Sequence, residues 1–323
     1  MDAGSRLTRL DTLDGYRQSF TDAVLWRPFV ERVCRGHGWT CNRMRPGIAG
    51  TFPTFIVDDQ RVVKFFGRLF EGEECWRVEQ EAAHRMLDVP GVPVAKLMAS
   101  GTLDGELGWA YLVFEYVPGV SIGEVYANIS FKEKWSLARR LGEWLPLMHR
   151  IEVRPGPALA RLSEDLARSW FASRWPKERT NWPIHLAGQV EAYLSENAAF
   201  LRADSDCFIH ADLTQDHILG RYTDGHFIML AIIDFGDAMQ GNIYYELAAL
   251  HLNLFACDKR LLTVFLQTYG LPPGRDFVRM AMVTSLLHQF DVYAPLFALK
   301  PELMAASSLD ELAEWIWNVN PCD

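Results

Sequence analysis

The chain has 323 residues, of which 49% are hydrophobic and 23% are charged, and its formal net charge is −9 at pH 7. This composition is typical of a globular protein with a sizeable core, and it excludes a disordered or low-complexity chain. The acidic balance disfavours nucleic acid as a partner, because nucleic-acid binding needs basic surface, and it favours a small cationic ligand.

The first third of the chain predicts a small region of mixed helix and strand. Apolar residues at helical spacing predict a helix over residues 14–38. Short runs typical of strands follow at 51–57, 61–66 and 110–116, and a helix is predicted between them at 75–87. This mixture indicates a small β-rich lobe with helices.

From about residue 121 the pattern is mainly helical. Helices are predicted at 132–151, 159–174 and 184–201, and helical periodicity resumes from Tyr244 to the end. A β-rich island separates these two parts, with strands at 207–210, 218–219 and 227–233. We place the boundary at the Val117-Pro118-Gly119 turn, which gives an N-terminal lobe (1–116) and a C-terminal lobe (117–323).

No segment has the roughly 20 apolar residues that span a bilayer, and the first eleven residues contain no apolar run typical of a signal peptide. The six cysteines lack the spacing of a disulfide framework or a zinc site. We therefore expect a cytoplasmic monomer with no membrane partner.

The β-rich island carries the strongest chemical signal. His210-Ala211-Asp212 ends one apolar strand, and Asp234-Phe235-Gly236 ends another about twenty residues later. Phosphoryl transfer needs one carboxylate to orient the acceptor hydroxyl and accept its proton, and another to hold the Mg²⁺ that bridges the phosphates. An HxD motif followed by DFG supplies both. The ordered pair therefore predicts kinase chemistry.

HADLTQDHIL followed by IIDFGDA resembles the aminoglycoside phosphotransferase family. The resemblance implies an α+β, bilobal, protein-kinase-like fold with a small β-rich N-terminal lobe and a larger, mainly helical C-terminal lobe. It also implies Asp212 as the catalytic base and Asp234 as the principal Mg²⁺ ligand, with ATP or GTP as the phosphate donor.

His217 departs from the family pattern, which has Asn at this position. Imidazole is a softer ligand than an amide oxygen and prefers transition metals to Mg²⁺. Three readings remain open. His217 binds Mg²⁺ or Mn²⁺, or it hydrogen-bonds Asp212 or a phosphate while Asp216 supplies the oxygen ligand, or the enzyme is inactive.

Lys64 lies within an apolar strand, RVVKFF, so its ammonium needs an anionic partner. In a kinase these partners are the nucleotide phosphates and a carboxylate from the following helix. Glu81 fits this role, with Glu79 as the second choice, and its spacing to Val92-Pro93-Val94 resembles the family's E…PVP segment.

Two further segments are candidates for nucleotide contacts. The loop 46–55 precedes Lys64 and lacks a GxGxxG pattern, but backbone amides around Gly50 and Thr51 are in the right place to reach phosphates; an ordinary hairpin turn is the alternative. The strand ending at Glu115-Tyr116-Val117 resembles the family's hinge, in which the backbone of Glu115 and Val117 would bind the base.

Several C-terminal segments resemble hygromycin B phosphotransferases, including YYELAALHLNLF (244–255), LLHQFDVY (286–293) and LDELAEWIW (309–317). A cationic aminocyclitol needs carboxylates for its ammonium groups and acceptors for its hydroxyls. The candidates are Asp216, Glu246, Asn253 and Asp291, with His251 and His288 as neighbours that could equally be core residues. Trp315 and Trp317 are assigned to the core.

The predicted activity is therefore transfer of the γ-phosphate of ATP or GTP to a hydroxyl of an aminoglycoside, most closely hygromycin B or a related aminocyclitol. This reaction would inactivate the antibiotic. Two alternatives remain: a metabolic kinase of choline, a sugar or another alcohol, and a pseudokinase that binds nucleotide without turnover.

Overall fold

The computed structural model describes residues 10, 12–48, 50–103, 108–152, 159–197 and 207–319. The chain groups into two compact units. Unit 1 comprises Met1–Gly119 and Leu230–Asp237, and unit 2 comprises Val120–Met229 and Ala238–Asp323. The short segment that contains Asp234 therefore belongs to the same unit as Lys64.

Unit 1 is built on a five-stranded antiparallel sheet of order β1-β2-β3-β5-β4. The strands are β1 (Met44–Pro46), β2 (Thr54–Val57), β3 (Arg61–Phe66), β4 (Leu97–Thr102) and β5 (Ala110–Glu115). Lys64 is paired with Thr54 on one side and with Leu112 on the other, so it lies in the middle of the sheet.

In the described part of unit 1, the sheet is accompanied by the helices α1 (Leu13–Ser19), α2 (Ala23–Gly36) and α3 (Gly72–Met86). The predicted helix over 14–38 is split in two, because the Asp22 carboxylate caps the amides of Val24 and Leu25 and starts a new helix. Trp26 of α2 is fully buried and stacks on Phe65 of β3, with ring centroids 4.9 Å apart. This contact fixes α2 against the sheet.

Unit 2 is mainly helical. Its first helices are α4 (Ile122–Val125), α5 (Phe131–His149), α6 (Glu164–Glu178), α7 (Ile184–Ala187) and α8 (Val190–Glu196). Its later helices are α9 (Ile243–Ala249), α10 (Lys259–Tyr269), α11 (Phe277–Leu286), α12 (Tyr293–Leu299) and α13 (Leu309–Trp317). Helix α5 packs closely on α10, where a Cβ added to Gly142 would lie 2.8 Å from Thr268 Cβ.

The β-rich island forms two small sheets. Strand β7 (Cys207–Ile209) pairs antiparallel with β10 (Met239–Gly241), and β6 (Val120–Ser121), β8 (Ile218–Thr223) and β9 (His226–Ile232) form a three-stranded sheet of order β6-β8-β9. The 210–217 loop connects β7 to β8. It contains Asp212 and a 3₁₀ turn at Gln215–His217.

A π-helical turn, Leu250–Leu254, follows α9 directly. Such wide turns are rare and often occur at functional sites. Here the side-chain amide of Gln215 donates to the backbone carbonyl of Asn253, and the Asn253 side chain accepts from the Gln215 backbone amide, each at 3.0 Å. The wide turn thereby supports the 210–217 loop.

The predicted strand at 61–66 and helices at 75–87 and 132–151 are confirmed within three residues. Strands β1, β4, β6 and β10 were not predicted. Strands β1, β6 and β10 have only two or three residues, and β4 has six but contains Gly101. The helix predicted at 184–201 is divided at Gly188 into α7 and α8, and its last residues lie outside the described part of the chain. Within the described ranges, no helix has the length and apolar content needed to cross a bilayer.

Candidate active site

Lys64 is the centre of a charged cluster in unit 1. Its Nζ atom lies 2.7 Å from Asp234 Oδ1 and 2.8 Å from Glu79 Oε2. The side chains of Lys64 and Glu79 are 9% and 4% exposed, whereas that of Asp234 is 37% exposed. One ammonium therefore organises a buried carboxylate and a solvent-accessible one.

The electrostatics of this cluster follow from its burial. Burial opposes the charge on Lys64, but the carboxylates of Asp234 and Glu79 outweigh it and raise the pKa of the lysine. Burial also raises the pKa of Glu79 to about 7, although the Lys64 ammonium acts in the opposite direction. Lys64 thus stays charged at neutral pH and is available to an anionic ligand.

The prediction that Glu81 is the partner of Lys64 is wrong. Glu81 instead forms an ion pair with Arg85 one turn further along α3, at 2.7 Å. The reason is helical phase: residues two positions apart point about 200° away from each other around the helix, so Glu79 and Glu81 lie on opposite faces. The second choice, Glu79, occupies the position expected of Glu81.

The loop before β2 is held from several sides. The carbonyl of Thr51 accepts a hydrogen bond of 2.7 Å from the hydroxyl of Tyr16 on α1, and the Thr51 side chain itself is exposed. Phe52 is buried, and its ring centroid lies 5.7 Å from Lys64 Nζ. This loop is therefore anchored next to the charged cluster, although sequence reasoning gave no sign of the contribution from Tyr16.

The predicted hinge residues lie at the end of β5, an inner strand of the sheet. The backbone amide of Glu115 donates to the carbonyl of Lys96, and that of Tyr116 donates to the carbonyl of Gln60. The Glu115 side chain is exposed, and Val117 is half-buried. The strand end is thus fixed to both neighbouring segments.

In unit 2, Asp212 lies at the start of the 210–217 loop, and its side chain is 19% exposed. Its backbone amide lies 3.3 Å from His210 Nδ1. Its backbone carbonyl accepts from the amide of Thr214 at 2.9 Å and contacts His217 Nδ1 at 2.5 Å. The loop thus holds Asp212 through its own main chain, and the carboxylate remains accessible to solvent.

The contacts of His217 define its tautomer. A carbonyl oxygen only accepts hydrogen bonds, so Nδ1 carries the proton towards the Asp212 carbonyl, and Nε2 is the nitrogen that could bind a metal. Nδ1 also lies 3.7 Å from Asp212 Oδ2. His217 therefore hydrogen-bonds the backbone carbonyl of Asp212.

Glu246 and His288 are not in a position to bind the acceptor substrate. Both are fully buried, and both contact the backbone of Ala211: its amide donates to Glu246 Oε2, and its carbonyl accepts from His288 Nε2, each at 2.9 Å. Burial raises the pKa of Glu246 to about 7. The prediction of Glu246 as a substrate-binding carboxylate is wrong, because its position in the N-capped helix α9 directs it into the interior.

The other predicted acceptor residues have mixed surroundings. Asp216 and Asn253 are exposed, and Asn253 holds Gln215 of the loop. Asp291 accepts hydrogen bonds from the amides of Tyr293 and Ala294 at the start of α12, which is a capping role. His251 is buried against Trp317 and contacts the carbonyl of Ile316, so it is a core histidine.

Comparison with known proteins shows which family the chain belongs to. A family model described as the phosphotransferase enzyme family matches residues 49–281, which is most of the chain and spans Lys64, Asp212 and Asp234. The chain belongs to this family. The predicted class of enzyme, a phosphotransferase, is confirmed.

Solved structures show the same fold. One is the GDP complex of aminoglycoside 2'-phosphotransferase-IIIa, with a TM-score of 0.65 and 15% identity, covering 91% of this chain and 98% of the other. Another is the streptomycin-ATP-APH(2")-IIa ternary complex, with a TM-score of 0.59, 18% identity and coverage of 92% and 99%. The predicted α+β, protein-kinase-like fold is confirmed.

A microcompartment-associated aminopropanol kinase also matches. Its TM-score is 0.60 and its identity 14%, and the alignment covers 90% of this chain and all of the other. The fold therefore occurs in kinases whose names indicate quite different acceptors.

The residues of this phosphotransferase fit a divalent cation held together with phosphates. In the described part of the chain, no three His, Cys, Asp or Glu side chains are arranged so that they could hold a metal. Mg²⁺ is usually bound by one or two carboxylates together with substrate phosphates and water, and the accessible carboxylate of Asp234 meets that requirement. The imidazole of His217 is a softer ligand that prefers transition metals to Mg²⁺.

Proposed function

We propose that this phosphotransferase moves the γ-phosphate of ATP or GTP to a hydroxyl group of an aminoglycoside, most closely hygromycin B or a related aminocyclitol. The observation that carries the proposal is the Lys64 cluster with Glu79 and Asp234, together with an accessible Asp212 on a rigid loop. These are the parts that phosphoryl transfer requires.

The donor is assigned to unit 1. Lys64 would contact the α- and β-phosphates, and Glu79 would hold the lysine in place. The amides around Thr51 would cover the phosphates, while the backbone of Glu115 and Val117 would bind the base. Asp234 would hold the divalent cation, which neutralises charge on the phosphates when it is bound.

Asp212 would orient the acceptor hydroxyl and accept its proton as the new oxygen–phosphorus bond forms. The products are a phosphate monoester and ADP or GDP, and no covalent intermediate with the protein is involved. His217 contributes by keeping the Asp212 carbonyl fixed, so the direction of the carboxylate is set before the acceptor binds.

A cationic acceptor is supported by the formal net charge of −9 and by the exposed carboxylate of Asp216 on the same loop as Asp212. Asn253, beside this loop, would form hydrogen bonds with hydroxyl groups of the acceptor. The choice of hygromycin B rests on the resemblance of the segments at 244–255, 286–293 and 309–317.

An amino alcohol of metabolism is the second candidate, favoured by the match to the aminopropanol kinase. Aminoglycosides and amino alcohols share an ammonium group close to a hydroxyl, so the same acidic loop would serve either. The two classes of acceptor differ in size, since an aminoglycoside is much larger than an amino alcohol.

The test is release of ADP or GDP with Mg²⁺ or Mn²⁺, measured with hygromycin B, kanamycin, gentamicin, 1-aminopropan-2-ol and choline as acceptors. We expect hygromycin-dependent release in the wild type and a loss of about 10²- to 10⁴-fold in Asp212→Asn. Asp224→Asn, the same chemical change at an exposed residue of the turn between β8 and β9, is the matched control and should keep full activity. Turnover with the amino alcohols alone would replace the aminoglycoside assignment. Nucleotide binding without turnover on any acceptor would indicate a pseudokinase.

A further inference from the structure

Ala211, the residue before Asp212, has an unusual backbone conformation. Its φ angle is +65°, in the left-handed region that residues with a Cβ rarely adopt, and the residue is fully buried. Such a conformation costs on the order of 1 kcal/mol and persists only where surrounding contacts maintain it. The direction in which the chain enters Asp212 depends on this angle.

Both backbone polar groups of Ala211 bind fully buried side chains. The amide donates to Glu246 of α9, and the carbonyl accepts from His288, which lies two residues after the end of α11. The two contacts are 2.9 Å long and come from two separate segments, helix α9 and the stretch that follows α11. They therefore fix both peptide planes around the strained residue.

The orientation and tautomer of His288 are fully determined. The amide of Phe290 lies 3.2 Å from Nδ1, which must accept, so the ring proton is on Nε2 and is donated to Ala211. The ring stacks on Tyr245 at 4.7 Å, and the Tyr245 hydroxyl accepts from the amide of Gln289. Burial lowers the pKa of His288 to about 4, so the imidazole is neutral at neutral pH.

We propose that His288 is a positioning residue for phosphoryl transfer: its Nε2–H holds the carbonyl of Ala211, keeps that residue in the left-handed conformation, and thereby sets the direction of the Asp212 carboxylate. This inference rests on the proposed role of Asp212 as the base. His288 itself touches neither substrate nor nucleotide in this role.

The test compares three variants with the wild type. In His288→Gln, the side-chain amide reaches about as far as Nε2 and keeps a donor, whereas His288→Leu removes it. The double variant His288→Leu/Ala211→Gly also removes the cost of the left-handed conformation, because glycine adopts it freely. Each protein is assayed for kcat, for the KM of the nucleotide, and for amide hydrogen exchange in the 210–217 loop.

We expect kcat of His288→Leu to fall about 10- to 100-fold, as for a small misplacement of a reacting group, with the KM of the nucleotide unchanged. His288→Gln should stay within a few-fold of wild type, and the double variant should recover part of the loss. Exchange in the loop should be faster in His288→Leu alone. Wild-type kcat and exchange in His288→Leu would overturn the proposal, as would equal losses in the Gln and Leu variants.

If His288→Leu does not fold, His288→Asn replaces it, since its shorter amide reaches only the position of Nδ1. A wild type without turnover on any acceptor would contradict the proposed function instead. In that case the hydrogen-exchange comparison still decides whether His288 holds the loop.

Discussion

Lys64 Nζ lies 2.8 Å from Glu79 Oε2, and both side chains are withdrawn from solvent. Breaking a buried ion pair by removing one partner leaves an uncompensated charge and is strongly destabilising. Two residues further along the same helix, Glu81 pairs with Arg85 at a site where the glutamate is 37% exposed. The chain therefore offers two glutamates of the same helix in opposite environments.

Glu79→Gln should lower kcat/KM for the nucleotide by about 10²-fold or more, because Lys64 loses the buried carboxylate that orients it. Glu81→Gln should retain wild-type activity and lose less than about 1 kcal/mol of stability, as expected for a partly exposed ion pair between residues one helical turn apart. Steady-state kinetics and thermal unfolding of both variants check this. Equal losses in the two variants would contradict the assignment of Glu79.

Tyr16→Phe removes the hydroxyl that donates to the Thr51 carbonyl but keeps the ring. We expect a loss of about 1 kcal/mol in unfolding free energy and a several-fold higher KM for the nucleotide, with kcat little changed. Tyr111→Phe is the control, because it makes the same change in another tyrosine of unit 1, whose hydroxyl contacts His37 at 2.9 Å. A raised KM in the control as well would show that general loosening of unit 1, and not the loop, is responsible.

Protonation of His149 should destabilise the folded protein at acid pH. Burial lowers its pKa to about 3, and its Nδ1 contacts the Tyr269 hydroxyl at 2.7 Å. Because the folded pKa lies below the unfolded value of about 6.5, stability is complete above pH 6.5 and is lost as the pH falls towards 3. By pH 5 the loss from this residue should be about 2 kcal/mol.

His149→Gln should therefore lose less unfolding free energy between pH 7 and pH 5 than the wild type does. Urea unfolding at the two pH values measures the difference. His84→Gln, at an exposed position of α3, is the control and should keep the wild-type slope. An unchanged slope in His149→Gln would show that other groups dominate acid unfolding.

The substitutions Gly142→Ala and Gly36→Ala should change the free energy of unfolding in opposite directions. Alanine usually stabilises a helix relative to glycine by up to about 1 kcal/mol. At Gly142 of α5, however, the new Cβ would lie 2.9 Å from the backbone oxygen of Phe265 and force α5 and α10 apart. A Cβ added to Gly36 would meet no atom within 4 Å apart from its chain neighbours and its own helix backbone.

We therefore expect Gly142→Ala to lose about 1–3 kcal/mol and Gly36→Ala to be neutral or slightly stabilised, as measured by thermal unfolding. A stabilised Gly142→Ala variant would show that the two helices separate without cost.

The sequence identified the chemical motifs better than their surroundings. Lys64, Asp212 and Asp234 could be found because each ends or interrupts an apolar strand, where a charged residue is costly without a function. Glu79 could not be distinguished from Glu81, since the helix phase towards β3 depends on tertiary packing.

Glu246 shows a different limit. The sequence predicts it as a substrate ligand, but it lies in the apolar run YYELAAL, on a helix that is buried on nearly all sides, and its carboxylate accepts the backbone amide of Ala211. The left-handed angle of Ala211 has no signal in the sequence, because glycine is the residue that usually marks it. The sequence therefore does not indicate that Glu246 and His288 bind the backbone of Ala211.

The π-helical turn at Leu250–Leu254 makes this segment intolerant of a change in length. Deleting one residue there would restore ordinary α-helical pitch and rotate all that follows by about 100° around the helix axis. Asn253 would no longer face Gln215, and the 210–217 loop would lose two hydrogen bonds at once. Natural relatives that keep the reaction should therefore vary in side chains within this segment but seldom in its residue number.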